Sequence, residues 1–401
     1  MNTKIDGVVS ELRNRVQSHG IDIAQNRETI SHFAEDILNE SDPMSTQLQA
    51  NELTNQVAGF GALQDLLDDE TVEEIWINEP GRIFIARNGR SQLTSLILDD
   101  REVRALAEKL LARTGRRIDL ANPFVDASLP DGSRLHIAIP DITSKHWAIN
   151  IRKFVIKAHS LEALVDAGTL TNQAALFLQA CVAVGLNIVV AGATQAGKTT
   201  LMNALLNSAP AHERVITCEE VFELQLLSPD WVAMQTRQAS LEGTGEITLR
   251  RLIKEALRMR PSRLVVGEVR HEECLELLIA MNSGMPSMCS IHANNVRSAI
   301  SKLCLLPMLA GSNVTGDFVI PTVANVIDIV VHTALTPNGL RQIQAIGSVT
   351  GRIEGSTVEI GEIFSRVNGE LIPSGTFPAR GELFSARGFD LGTILGGKSW
   401  Q

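Results

Sequence analysis

Tyrosine is absent from the 401 residues, and aromatic residues together make up only 4 %. A platform that stacks nucleobases needs rings, so that function is poorly supported. Positive charge is also short. Thirty-six Lys and Arg stand against 46 Asp and Glu, for a net charge of −10. That balance argues against a nucleic-acid binder, which carries a basic face. The five cysteines (Cys181, Cys218, Cys274, Cys289, Cys304) show no C-x-x-C spacing and read as small buried residues in a reducing compartment. MNTKIDGVVSELRNR has no apolar h-region, so no signal peptide is expected. The longest apolar run, around Cys181 to Ala193, is interrupted by Gly185 and Asn187 and falls short of the ~20 residues that span a bilayer. The expectation is a soluble protein of two or three domains with sizeable cores.

What is present is concentrated in NIVVAGATQAGKTTL, residues 187–201. Gly192, Gly197, Lys198 and Thr199 match G-x-x-x-x-G-K-[ST] without a mismatch, between an apolar strand and a helix start. Glycines let the backbone wrap a phosphate chain and turn N–H groups inward. Ala193, Thr194, Gln195, Ala196 and Thr200 complete the loop. The helix that follows offers its positive dipole end to the same anion. Lys198 can reach the β- and γ-phosphates, and the Thr199 hydroxyl can ligate Mg²⁺. ATP and Mg²⁺ are therefore the expected ligands.

Around this loop the chain divides. Residues 1–57 read as a helical module on a flexible tether, broken at Asp42-Pro43. Residues 58–155 alternate strands and turns around one amphipathic helix, with Asn88-Gly89 as a hairpin turn and Gly115 as a helix stop. Such a segment is a small α+β domain, expected to be PAS-like. Residues 156–170 are a linker. Residues 171–350 alternate strands and helices as a RecA-like α/β domain with a largely parallel sheet. Residues 351–401 read as a glycine-rich appended segment.

Ligands of parallel sheets sit at the carboxyl ends of the strands, and the remaining polar signals fall there. RLVVGEV ends in Gly267-Glu268, with glycine where a metal-shell aspartate is usual. Glu268 is the candidate that orients or deprotonates water. Glu219 and Glu220, after RVITC, are the candidate carboxylates for Mg²⁺, ahead of Glu223. His292, after SMCSI, is placed to sense a γ-phosphate. Arg237, Arg260 and Arg270 lie near strand or helix ends, and a finger acting in trans would need an oligomer. Arg116, Arg117, Arg134 and Arg152 mark turns and strand ends of the preceding domain.

Together these stretches resemble the secretion, pilus and conjugation ATPases, and within them the tight-adherence pilus type. GATQAGKTT, TCEEVFELQL, TRQASLEGTGEIT, ALRMRPSRLVVGEVR and SIHAN correspond to its phosphate loop, acidic box, arginine box, B motif and histidine box. The chain departs from the pattern in two places: Glu220 stands where the family has Asp, and Gln238-Ala239-Ser240-Leu241 replace a proline-rich stretch. The resemblance implies a hexameric ring with ATP between two domains of each subunit. It carries nucleotide-reaching roles over to Arg134 and Arg152 and an arginine-box role to Arg237. It implies a motor at the cytoplasmic face of the membrane, acting on a membrane-embedded platform protein; the acidic balance argues against direct nucleic-acid contact. A conjugation or type IV secretion motor is the alternative, and a low-turnover nucleotide-gated scaffold the third reading.

Overall fold

The computed structural model describes residues 2–19, 21, 26–41, 47–87, 89–114, 116–153, 160–239 and 244–396. Asp42-Pro43, Asn88, Gly115 and Ser240-Leu241 lie outside them. The chain forms two compact units, Met1–Val155 and Ile156–Gln401. No helix among the described residues is long and apolar enough to cross a membrane.

In the first unit, three helices (Asn2–Ser18, Arg27–Ser41, Gln47–Val57) share a small core of Leu12, Val16, Ile30, Ile37 and Leu53. The chain leaving the third helix is held by side chains of the helix Asp100–Ala112 and its C-cap. Lys109 donates to Gln56 O (3.0 Å), and Arg113 donates to Ala58 O (2.5 Å). Cations thus satisfy the orphan carbonyls at a helix C-terminus. Burial pulls the Lys109 ammonium down to about 8.

The strands of this unit are β1 (Val72–Glu79), β2 (Arg82–Arg87), β3 (Arg90–Leu93), β4 (Phe124–Ser128), β5 (Arg134–Ala138) and β6 (Ala148–Arg152). They pair antiparallel in the order β3-β2-β1-β6-β5-β4. Alternating Ile75, Ile77, Leu135, Ile137, Ile149 and Ile151 point into one core, where the helix Asp100–Ala112 adds Val103, Ala107 and Leu110. That helix starts at a capping box between Asp99 and Glu102.

The second unit carries β7 (Ile188–Gly192), β8 (Val215–Glu219), β9 (Trp231–Gln235), β10 (Arg263–Val269), β11 (Ser287–Ile291), β12 (Ile329–Leu335), β13 (Arg341–Glu354), β14 (Thr357–Val367) and β15 (Glu370–Pro373). Their order is β15-β14-β13-β12-β7-β11-β10-β8-β9. From β12 to β9 the pairing is parallel, and β13 to β15 extend the sheet antiparallel. Residues 188–192 are buried throughout, as a strand covered on both faces requires. Asn187, which breaks the apolar run, clips three strands together. Its side chain donates to Val326 O (2.7 Å) and accepts from Ser287 N (2.9 Å), and its own N–H reaches Asp328 Oδ2 (2.8 Å).

The C-terminal residues pack into this unit's core. Phe384 stacks on Phe177 at 6.1 Å, beside Phe364, Leu391 and Leu395. Glycines of this glycine-rich segment serve turns, such as Gly375 and Gly388 with φ +82° and +79°. The helix Gly316–Val326 is also a finding of the structure, because Pro321 in its interior masked it in the sequence. All five cysteines are buried and free. Burial pushes the Cys218 and Cys289 thiols up to about 12, which leaves them unreactive.

Candidate nucleotide site

Parallel register brings the motifs together at one sheet edge. Gly192, at the end of β7, pairs with Thr333 of β12 on one side, and Ala191 pairs with Ile291 of β11 on the other. Val266 of β10 pairs with Cys289 of β11 and with Cys218 of β8. The phosphate loop, His292, Glu268 and Glu219 therefore leave adjacent strands at the same end.

The loop itself has a defined shape. Gln195 and Gly197 take positive φ (63° and 90°), and Gly197 caps the helix Lys198–Asn207 without any side-chain acceptor. The first N–H groups of that helix are thus left for an outside anion. The Lys198 ammonium lies back across the loop, 3.2 Å from Gly192 O and 3.1 Å from Ala193 O. Two residues that the sequence reading passed over brace the loop. Thr333 Oγ1 donates to Ala196 O (2.6 Å), and Arg341 Nε donates to Gln195 O (2.9 Å). Thr333 is placed by the β7–β12 register and Arg341 by the β12–β13 hairpin, neither of which a linear reading exposes.

A Cβ on Gly192 would sit 2.6 Å from Thr333 O and 3.1 Å from the Ala196 methyl. Backbone on a paired strand yields little, so overpacking of about 1–3 kcal/mol is expected to go into loop distortion. Gly192→Ala should weaken ATP binding about tenfold, read by titration with a fluorescent nucleotide; wild-type affinity would contradict the close-approach role of this glycine.

The acidic residues separate into different tasks. The Thr199 hydroxyl donates to Glu223 Oε2 at 2.9 Å. The sequence ranked Glu219 and Glu220 ahead of Glu223, and the geometry reverses that order at the hydroxyl. Glu219 is held away because its Oε2 accepts from the backbone N–H of Glu223 (2.8 Å) and Leu224 (2.9 Å). Glu219 thereby shapes the turn that presents Glu223. Burial pushes its carboxyl up to about 7, against those two hydrogen bonds. Glu220 is exposed and pairs with Arg270 at 2.9 Å.

The glycine before Glu268 now has a reason. A Cβ on Gly267 would come within 3.1 Å of Glu219 Cγ, so a larger residue there requires the buried glutamate side chain to give by a few tenths of an ångström. The β10–β11 register slips between Val266 and Val269, a bulge that re-aims Glu268 at the strand end. Ser290 Oγ fixes the bulge by donating to Gly267 O (2.6 Å). Burial pushes the Glu268 carboxyl up. The Arg270 hydrogen bond and the charges of Lys198, Arg270 and His292 outweigh it, and the carboxyl lies below its ordinary value.

His292 follows β11 with its side chain exposed, and Lys302 secures its carbonyl (2.6 Å). Arg237 is tied within its own loop: its backbone pairs with Ile247, and its Nε donates to Gly245 O (2.8 Å). In the first unit, Arg134 of β5 is the cross-strand partner of Arg152 of β6, which in turn faces Glu74 of β1, with Arg152 Nε 3.7 Å from its carboxylate.

ATP and Mg²⁺ fit these residues. Glycine leaves the loop room that a Cβ would fill, the helix start supplies N–H groups, and Lys198 supplies the charge. Thr199 and Glu223 put two hard oxygens side by side, enough for an ion that keeps waters and takes its other ligands from phosphate. No group of three or more His, Cys, Asp or Glu among the described residues forms a separate metal cage.

Residues 56–345 match the family model described as type II/IV secretion system protein. A Mycobacterium tuberculosis (strain ATCC 25618 / H37Rv) protein named for conjugal transfer is 32 % identical over 317 residues, covering 76 % of this chain and 90 % of its own length. VirB11 of Agrobacterium fabrum is 30 % identical over 300 residues, covering 66 % of this chain and 85 % of its own. The X-ray structure of the Legionella pneumophila ATPase DotB shares the fold, with a TM-score of 0.51 at 16 % identity, over 82 % of this chain and 83 % of that one.

Proposed function

Because the chain belongs to the family of type II/IV secretion system proteins and is a P-loop ATPase of that family, we propose that it is the ATP-hydrolysing motor of a membrane secretion machine. The observation that carries this reading is the convergence of Lys198, Thr199 with Glu223, and Glu268 at one sheet edge. The loop amides and Lys198 bind the phosphates. Thr199 and Glu223 hold Mg²⁺, with Glu219 setting the turn that carries Glu223. When bound, the ion neutralises charge on the phosphate oxygens. Glu268 accepts the proton of the attacking water, and its lowered pKa keeps it ionised for that task at neutral pH. His292 senses the γ-phosphate.

The division into a helical module, a PAS-like α+β domain, a RecA-like domain and a C-terminal segment belongs to this proposal. So do the hexameric ring, its membrane platform partner and its place at the cytoplasmic face. Among possible machines, the names of the relatives favour conjugal transfer or type IV secretion. The tight-adherence pilus remains the second reading, on the motif pattern of Gly267-Glu268 and SIHAN. The net charge of −10 supports a protein partner over direct DNA contact in either machine.

A ring whose sites need neighbouring subunits loses activity on dilution. Specific phosphate release is expected to rise with protein concentration, in step with the mass seen by light scattering. Constant specific activity from a monomer would contradict the ring.

A further inference from the structure

We propose that Arg270 is a positioning residue of this site: its guanidinium forks between Glu268 and Glu220 and fixes where the Glu268 carboxylate points. The inference rests on the role given to Glu268 above and assigns Arg270 a task within its own subunit, where a finger reaching a neighbour was the other possibility. Arg270 Nη2 lies 3.0 Å from Glu268 Oε2, and Nη1 lies 2.9 Å from Glu220 Oε2. The two carboxylates belong to different strand ends, those of β10 and β8. One planar fork therefore ties the water-activating group to the strand that leads into the Thr199–Glu223 pair. The backbone at Arg270 is itself held. Its N–H and that of His271 both donate to Glu273 Oε1, at 2.6 and 2.8 Å. An arginine committed at both ends of its fork is a clamp.

The charged groups facing Glu268 are Arg270 from its own strand, Lys198 from the loop helix and His292 from the end of β11. Those facing Arg270 are Glu268, Glu220 and Glu223. Burial raises the Glu268 carboxyl, and Arg270 contributes both the hydrogen bond and a charge that lower it. Without Arg270, the carboxyl rises. A base works only when ionised, so turnover is lost as pH falls through that value. The acid limb of the kcat profile must therefore move to higher pH.

The test is the pH profile of kcat and KM for ATP in the full chain carrying Arg270→Gln, Arg270→Lys or Glu220→Gln. Arg270→Gln should move the acid limb up by about one pH unit and cut kcat about tenfold on that limb, with KM changed far less. Arg270→Lys keeps the charge but loses the fork, and its limb should fall between wild type and Arg270→Gln. Glu220→Gln frees the guanidinium for Glu268, and its limb should move down. A uniform loss of kcat in Arg270→Gln with the limb at its wild-type pH overturns the proposal in favour of a finger. An unmoved limb in Glu220→Gln overturns the fork. Equal turnover by wild type and Glu268→Gln would instead defeat the function assigned to Glu268. Arg270 is then judged by melting temperatures in double-mutant cycles with Glu268→Gln and Glu220→Gln. Coupling to both carboxylates upholds the fork, and absence of coupling to either removes it.

Discussion

Lys198→Ala is expected to weaken ATP binding about 10- to 150-fold and to lower hydrolysis with it. The range corresponds to losing a hydrogen bond from a charged donor, about 1.5–3 kcal/mol. The ammonium lies across the loop on the carbonyls of Gly192 and Ala193. On ATP binding the ammonium is expected to exchange those carbonyls for phosphate oxygens. The loop amides and the helix start survive the substitution, so binding falls without vanishing. Two effects on turnover follow from one side chain. The substrate is held less well, and Glu268 loses one of the charges that keep it ionised. Calorimetric titration with a non-hydrolysable ATP analogue checks the first effect. Affinity within twofold of wild type would contradict the loop assignment.

Glu268→Gln should leave ATP binding close to wild type and cut turnover about 100- to 10,000-fold, the usual contribution of a positioned general base. Glutamine keeps the size of the side chain and the bulge fixed by Ser290. It loses the capacity to take a proton from water. Arg270 retains Glu220 as a partner, so the charge left behind stays compensated. The purified variant should therefore retain ATP over the time in which wild type converts it to ADP. Chromatography of the extracted nucleotide reads this directly, and ADP recovered at the wild-type rate would remove Glu268 from the reaction.

The phosphate loop was legible because its demands are local. Close approach needs glycine at 192, a left-handed helix cap favours glycine at 197, and Lys198 and Thr199 follow at fixed offsets. The largely parallel sheet was legible for a similar reason: apolar runs of strand length alternate with amphipathic helices. Glu268 and His292 could be placed at strand ends from the runs that precede them. What the sequence hid depends on residues far apart in the chain. Glu223 gained its place on Thr199 because Glu219 turns inward to two backbone amides, and no spacing rule reports which way a carboxylate turns. Gly267 is explained by Glu219, 48 positions earlier and one strand away. Thr333 and Arg341 reach the loop only through the β7–β12 register and the hairpin that follows β12. The core contribution of the C-terminal residues was hidden because their glycines are conspicuous, while the few apolar side chains that enter the core, Phe384, Leu391 and Leu395, are widely spaced. The machine served is written least of all in this site, since phosphate chemistry is the same whatever machine an ATPase drives.

The most direct test is phosphate release from ATP and Mg²⁺ by the purified wild type beside Glu268→Gln. Steady release is expected from the wild type and almost none from the variant, with ATP bound to both. Equal release by the two proteins, or none from either while ATP stays bound, would contradict the ATPase role of this site.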